Sequence, residues 1–249
     1  PRARHMLHRH LLVLGLAGIS AALQTQYQAN GGVLYREHFL SPADFEAVQR
    51  ECRSLRGQMR AEKDSIARRR LGVCLDRKSL THAKLMSADI AAKLARLTGV
   101  ERLEPSEFPA ELRHYGDGSM MDWHQDDVLY DPPQTEVILT LENSADCFTE
   151  WIGPDGEREC VWTEPNSVLL VRAGAGGPSH RVTRVKRGER TIVKCVFHAP
   201  GCEKTPSFYD HINSFPGAQK SVAERARALA AKAKEADRPG RRGRGERGR

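Results

Sequence analysis

At 249 residues, 39% apolar and 29% charged, the chain has the make-up of a soluble globular protein and is long enough for one large domain or two small ones; a disordered chain and a many-pass membrane protein are excluded. The formal charge of +7 belongs to the ends: residues 1–36 and 240–249 carry +4 each, which leaves residues 37–239 at −1 and argues against a nucleic-acid-binding core. The six cysteines show neither C-x-x-C nor zinc-ribbon spacing. Cys147 and Cys160 flank an expected β-hairpin and could face each other across it, but nothing else marks a disulfide-rich secreted scaffold, so free thiols are the expectation.

In chain order, RARHMLHRHLLVLGLAGISAALQ comes first, basic and free of acids, with an apolar run from Leu11 to about Leu23. That run is too short and too rich in Ala and Gly for a membrane span. Residues 1–32 read as a targeting segment, the alternative being a buried first helix. Next, LSPADFEAVQRECRSL has Ser41 as N-cap, Pro42 at the first helical position, and Phe45, Val48, Cys52 and Leu55 at helical spacing. A second helix is expected over Met59–Arg70. A third is expected over Thr81–Leu97, with Leu85, Ile90, Leu94 and Leu97 inward and Gly99 as its stop.

After Glu107 the pattern turns to short β-rich runs: FPAELRHYG, TEVILTLEN, CFTEWIG, ECVWTEP, SVLLVRAG, SHRVTRV and RTIVKCVFHA. Turn residues such as GDGS, DPPQ, GPDGE, GAGG and KRGE separate them. Many short strands at this spacing predict an all-β sandwich or barrel, with the preceding helices packed on one face. Beyond residue 200, SVAERARALAAKAKEAD is Ala-rich and helical in propensity, and the Arg-Gly tail after it is expected to be disordered and solvated.

WHQDD at 123–127 contains the chain's H-x-D. If Trp123–Asp126 is extended, His124 and Asp126 share a strand face roughly 6–7 Å apart at Cα, a separation one metal ion bridges. A third ligand should come from a distant strand. His180, 56 residues on, follows GAGGPS and opens the strand HRVTRV. Two His and one carboxylate form a facial triad with open positions, which suits non-haem Fe(II). Arg190 stands ten residues after His180, past the turn KRGE, where a guanidinium can grip a carboxylate bidentately.

Together, HYGDGSMMDWHQD and PSHRVTRVKRGERTIVKCVF resemble the 2-oxoglutarate- and Fe(II)-dependent dioxygenases, in their prolyl 4-hydroxylase-like branch. The likeness extends to plant and algal members through LRHYGDGS, WHQDD and PNSVLLVRAG, and it covers about residues 108–198. It implies a double-stranded β-helix (jelly roll) with N-terminal supporting helices. It also implies Fe(II) held by His124, Asp126 and His180, and the distal carboxylate of 2-oxoglutarate held by Arg190, with Tyr115 hydrogen-bonding nearby. O2 and 2-oxoglutarate would be consumed and succinate released, with ascorbate as a reductant. Halogenating relatives lack the carboxylate that Asp126 provides, so hydroxylation is the implied outcome.

The expected layout is a targeting segment at 1–32, a helical support region at 33–107, the oxygenase domain at 108–200 and an extension at 201–249. A plastid is favoured over the secretory pathway. The partner is a small-molecule or peptide substrate, with no nucleic acid for the core and no stable membrane span. Two rival readings stay open: a cupin-like metalloenzyme that uses no keto acid, and a metal-stabilised binding module with a basic tail.

Asp127, His114, His198 and His211 are read as structural or surface residues. Trp123, Tyr130 and Trp151 either line the mouth of the site or fill the core, and DVLYDPPQ is either a lid or a rigid turn.

Overall fold

Alternation in the two longest strands sets the frame. In β9 (Thr135–Asn143), Val137, Leu139 and Leu141 point one way, and in β14 (Arg190–His198), Val193, Cys195 and Phe197 join them. The helices cover that face. Helix α1 (Pro42–Ser54) contributes Val48 and Cys52, α2 (Leu80–Leu85) contributes Leu85, and α3 (Ala88–Thr98) contributes Leu94, which is fully buried. This helix-on-sheet layer is the main apolar core. The computed structural model describes residues 26–62 and 66–213.

Two antiparallel sheets face each other. The major sheet runs in the order β1 (Val33–Arg36), β12 (Ser167–Arg172), β9, β14, β6 (Glu111–Tyr115), β4 (Leu71–Cys74) and β2 (Arg60–Ala61), with β5 (Glu104–Pro105) also on β14. The minor sheet runs β11 (Arg158–Val161), β10 (Thr149–Ile152), β13 (His180–Val182), β7 (Met120–His124) and β3 (Ala67–Arg68). This is the expected jelly roll with supporting helices. A small ribbon of β8 (Tyr130–Asp131) and β15 (Glu203–Lys204) closes one end. There α4 (Phe208–Asn213) buries Phe208 and Ile212 against Phe108, Leu129 and Tyr130, so residues 203–212 of the expected extension pack on the barrel.

Helix starts follow their caps. The Ser41 hydroxyl accepts from Asp44 N, with Pro42 in the first turn, as expected. The expected third helix is two helices instead. Ser79 and Ser87 each accept from the amide three residues on, and the second cap interrupts the run at Met86–Ser87. Gly99 ends α3 at φ 76°, a left-handed C-cap whose amide donates to Ala95 O.

Among the described residues the expected second helix is not found. Residues 56–58 make one 3-10 turn, after which Arg60 pairs with Gly72 in the major sheet and Ala67 with Met121 in the minor one. Tertiary pairing overrides helix propensity here, and the buried ion pair of Glu62 with Arg70 fixes the crossing between the sheets.

All six cysteines are free; Cys147 is buried and Cys160 exposed. Tyr27, assigned from the sequence to the targeting segment, is buried in the main core. The rest of that segment before residue 26, and the Ala-rich helix and Arg-Gly tail after 213, lie outside the described residues. Among the described residues no helix is long and apolar enough to cross a membrane.

Candidate active site

The site lies between the sheets. β7 and β13 pair antiparallel with His180 opposite His124, and the register slips before Val182 meets Met121. The pairing sets the two imidazoles 4.1 Å apart between ring centroids. β7 ends at His124, so Asp126 lies just past the strand rather than on it, and its carboxylate still turns back between the rings. Asp126 Oδ1 is 4.0 Å from His124 Nε2, and Oδ2 is 3.5 Å from His180 Nε2. The three donor atoms lie within 4.8 Å of one another.

Both rings are oriented for ligation. His124 Nδ1 lies 2.9 Å from Asp122 O, and His180 Nδ1 lies 3.2 Å from Pro178 O. A carbonyl only accepts, so each Nδ1 carries the proton and each Nε2 presents a lone pair. His124 Nε2 is buried with no hydrogen-bond partner. Burial, with the His180 ring next, pushes His124 down to about 4, which keeps it neutral near pH 7. Burial would raise the Asp126 carboxyl; the Lys194 ammonium and the two imidazoles outweigh it and hold the group below its ordinary value. Two imidazole nitrogens and one carboxylate oxygen, buried and converging, fit a divalent metal ion.

Arg190 opens β14 and is the cross-strand partner of Tyr115 on β6. It is 2% exposed, and its Nη1 donates to Thr149 Oγ1 at 2.9 Å. Its Nε has no partner, and among the described residues it forms no ion pair. The other buried cations are matched: Arg70 by Glu62, Arg113 by Glu111, and Lys194 by Asp126 and Glu136. A buried guanidinium without an acid is a seat for an anion. Tyr115 stands beside it, with the Arg190 guanidinium carbon 6.0 Å from the ring centroid. The Tyr115 hydroxyl accepts from Arg70 Nη1 at 2.9 Å and points its own proton at Met121 Sδ, 3.9 Å away, a weak acceptor. All five expected residues line one cavity, whose apolar walls are Met121, Ile138, Leu169, Val171, Val182 and Ile192.

The other candidates sit elsewhere. His114 contacts Thr191 Oγ1 at 3.1 Å, on the face away from the cavity. His198 stacks on Tyr130, and His211 lies 3.6 Å from the exposed Asp127 carboxylate. Tyr130 and Trp151 are buried core residues outside the cavity lining, and Trp123 is exposed, with the Arg181 guanidinium 4.8 Å from its ring. DVLYDPPQ is a pinned turn: Tyr130 and Asp131 pair with β15, and Gln134 holds Asp127 O and Leu129 N.

Sequence reasoning missed Lys194, Glu136, Arg70 and Thr149. For Lys194 a signal existed, since a lysine in the middle of RTIVKCVFH interrupts an otherwise apolar strand at a position sharing Arg190's face.

No protein-family model and no curated protein matches the chain. Solved structures do. A prolyl-4-hydroxylase of Pseudomonas putida aligns over 73% of this chain and 100% of its own, with TM-score 0.57 and 20% identity. A prolyl hydroxylase of Trichoplax adhaerens, in complex with a hypoxia inducible factor peptide fragment, aligns over 72% and 89%, with TM-score 0.59 and 14% identity. The non-haem α-ketoglutarate-dependent epimerase SnoN of nogalamycin biosynthesis aligns over 81% and 91%, with TM-score 0.65 and 13% identity. The chain therefore has the jelly-roll fold found in 2-oxoglutarate- and Fe(II)-dependent oxygenases, prolyl hydroxylases among them.

Proposed function

We propose that the chain is an Fe(II)- and 2-oxoglutarate-dependent dioxygenase. It would couple the oxidative decarboxylation of 2-oxoglutarate to succinate with hydroxylation of a second substrate, a peptide side chain such as proline or a small molecule. One observation carries the reading: a single buried cavity holds a His-Asp-His donor cluster with an orphaned imidazole nitrogen and a guanidinium that lacks an acid. The fold likeness supports it.

His124 and His180 would hold the metal through Nε2, and Asp126 through a carboxylate oxygen. Bound Fe(II) supplies the oxygen chemistry, with the keto acid as the electron source. Arg190 would take the distal carboxylate of 2-oxoglutarate through its free Nε and a terminal nitrogen, while Thr149 keeps the guanidinium in plane. The Tyr115 hydroxyl, its acceptor side taken by Arg70, would turn its proton from the weak acceptor Met121 Sδ toward the same carboxylate. The apolar walls exclude water.

The test is an anaerobic titration of Fe(II) and 2-oxoglutarate followed in the visible spectrum. A weak charge-transfer band that needs both additions, vanishes in His180→Ala and needs far more 2-oxoglutarate in Arg190→Ala is the expected result. A folded, iron-loaded chain with no band overturns the reading in favour of a metalloenzyme that uses no keto acid.

A further inference from the structure

Among the described residues, Lys194 is the cation that touches the donor cluster. Its Nζ lies 3.4 Å from Asp126 Oδ1 and 3.1 Å from Glu136 Oε2. Glu136 is 1% exposed, and its other oxygen accepts from Gln134 Nε2 at 2.9 Å. Gln134 donates in turn to Asp127 O at 2.8 Å and accepts from Leu129 N at 3.0 Å. A continuous chain of polar contacts thus runs from the backbone just after the donor pair, through Gln134, Glu136 and Lys194, back to the Asp126 carboxylate.

Stability alone does not account for this arrangement. Burying an ammonium and a second carboxylate costs desolvation that the pairing at best offsets, and apolar residues of the same volume are often neutral or stabilising in such places. Tying a metal ligand's free oxygen, by contrast, is the common means of orienting a first ligand through its outer partners. The remaining geometry fits that role. Lys194 occupies Oδ1 and leaves Oδ2, 3.5 Å from His180 Nε2, as the oxygen without a cation.

Building on the metal-site reading, we infer that Lys194 is a positioning residue that keeps Asp126 a one-oxygen ligand, with Glu136 and Gln134 holding Lys194 in place. A carboxylate free to turn would take two positions on the ion. Held by one oxygen, it would leave room on the ion for the keto acid and O2. Lys194 and Arg190 lie four residues apart on one face of β14, so a single strand orients both the metal ligand and the anion seat.

The test titrates Co(II) alone into the full chain and reads its visible d–d spectrum and its competition with a chromophoric chelator. The informative variant is Lys194→Met with Glu136→Gln, which removes the cation together with the carboxylate that would otherwise be buried without a counter-charge. Its Co(II) affinity is expected to fall by about 10- to 100-fold, with a changed band position and intensity as the carboxylate turns both oxygens to the ion. Lys194→Arg, which keeps a cation between the two carboxylates, should restore the wild-type band. Glu136→Gln alone, which loosens Lys194 without removing it, should weaken Co(II) binding by less than the double variant does. A double variant with wild-type affinity and spectrum overturns the inference and leaves the metal site standing. A wild-type chain that takes up no cobalt overturns both.

Discussion

His180 hangs from the carbonyl of Pro178, two residues before it, and that carbonyl is delivered by a turn in which Gly177 presses on Arg172. A Cβ on Gly177 would meet the Arg172 carbonyl oxygen at 1.8 Å, a backbone contact that cannot yield. Gly177→Ala should therefore displace the turn and untie the His180 ring while leaving the sheets paired. Metal affinity is expected to drop about tenfold or more with an unchanged far-ultraviolet spectrum. Unaltered metal binding would show that the Pro178 contact does not orient the ring.

Thr149 does for Arg190 what the carbonyls do for the histidines. Its hydroxyl accepts from Nη1 and fixes the plane of the guanidinium. Thr149→Val keeps the shape and removes that acceptor, leaving one more buried donor unmet, so 2-oxoglutarate affinity should fall by about 1–3 kcal/mol. Arg190→Ala should lose more, because the charge goes as well. Calorimetric titration of 2-oxoglutarate into the Mn(II)-loaded protein distinguishes the two.

Glu62 sets a pH limit on the fold. Burial would raise its carboxyl, but Arg113 and Arg70 outweigh burial and hold it below the ordinary value. The unfolded chain therefore takes up this proton first as pH falls. The stabilisation is complete above the ordinary carboxylate range and is lost as pH falls from there through the lowered folded value. Glu62→Gln breaks the pair with the buried Arg70 and should cost roughly 3–5 kcal/mol at pH 7. Urea midpoints should show the gap between variant and wild type narrowing in acid. A gap independent of pH would show that packing, not charge, is what Glu62 supplies.

Thiol chemistry reports on the helix layer. Burial pushes Cys52 up to about 11 and Cys74 to about 12, and Cys195 is raised from the same cause. The thiolate is the reactive form, so these groups stay inert at pH 8. Exposed Cys160 on β11 should take iodoacetamide first, with Cys52 and Cys195 labelled only on unfolding. Mass spectrometry of tryptic peptides resolves the order. Early labelling of Cys195 would mean that helices and sheet part in the native state.

The candidate cluster was legible because its spacing follows the barrel: an H-x-D at the end of one strand, a histidine on the strand that pairs with it, and an arginine at the start of the strand that follows. The strands themselves were legible from alternation. The segment after α1 was not, because MRAEKDSIARRR has strong local helix preference and only the two sheet edges show why residues 60–61 and 67–68 are strands. The inner charges were hidden for a different reason. Period-two alternation separates two faces of a strand without saying what each face meets. Glu111, Arg113, Glu136 and Lys194 sit where a solvated face would carry polar residues, yet all four line the space between the sheets.

The major sheet is a wall one backbone thick with unlike rooms on its two sides. Val193 and Lys194 are neighbours in the chain, yet one is pressed into helices and the other into a nest of carboxylates. The larger apolar core lies outside the barrel, and so the inner side can devote part of its surface to charged and ligating groups. A lineage built on this wall can exchange what the chamber accepts, one inward side chain at a time, while the outer layer keeps the architecture standing.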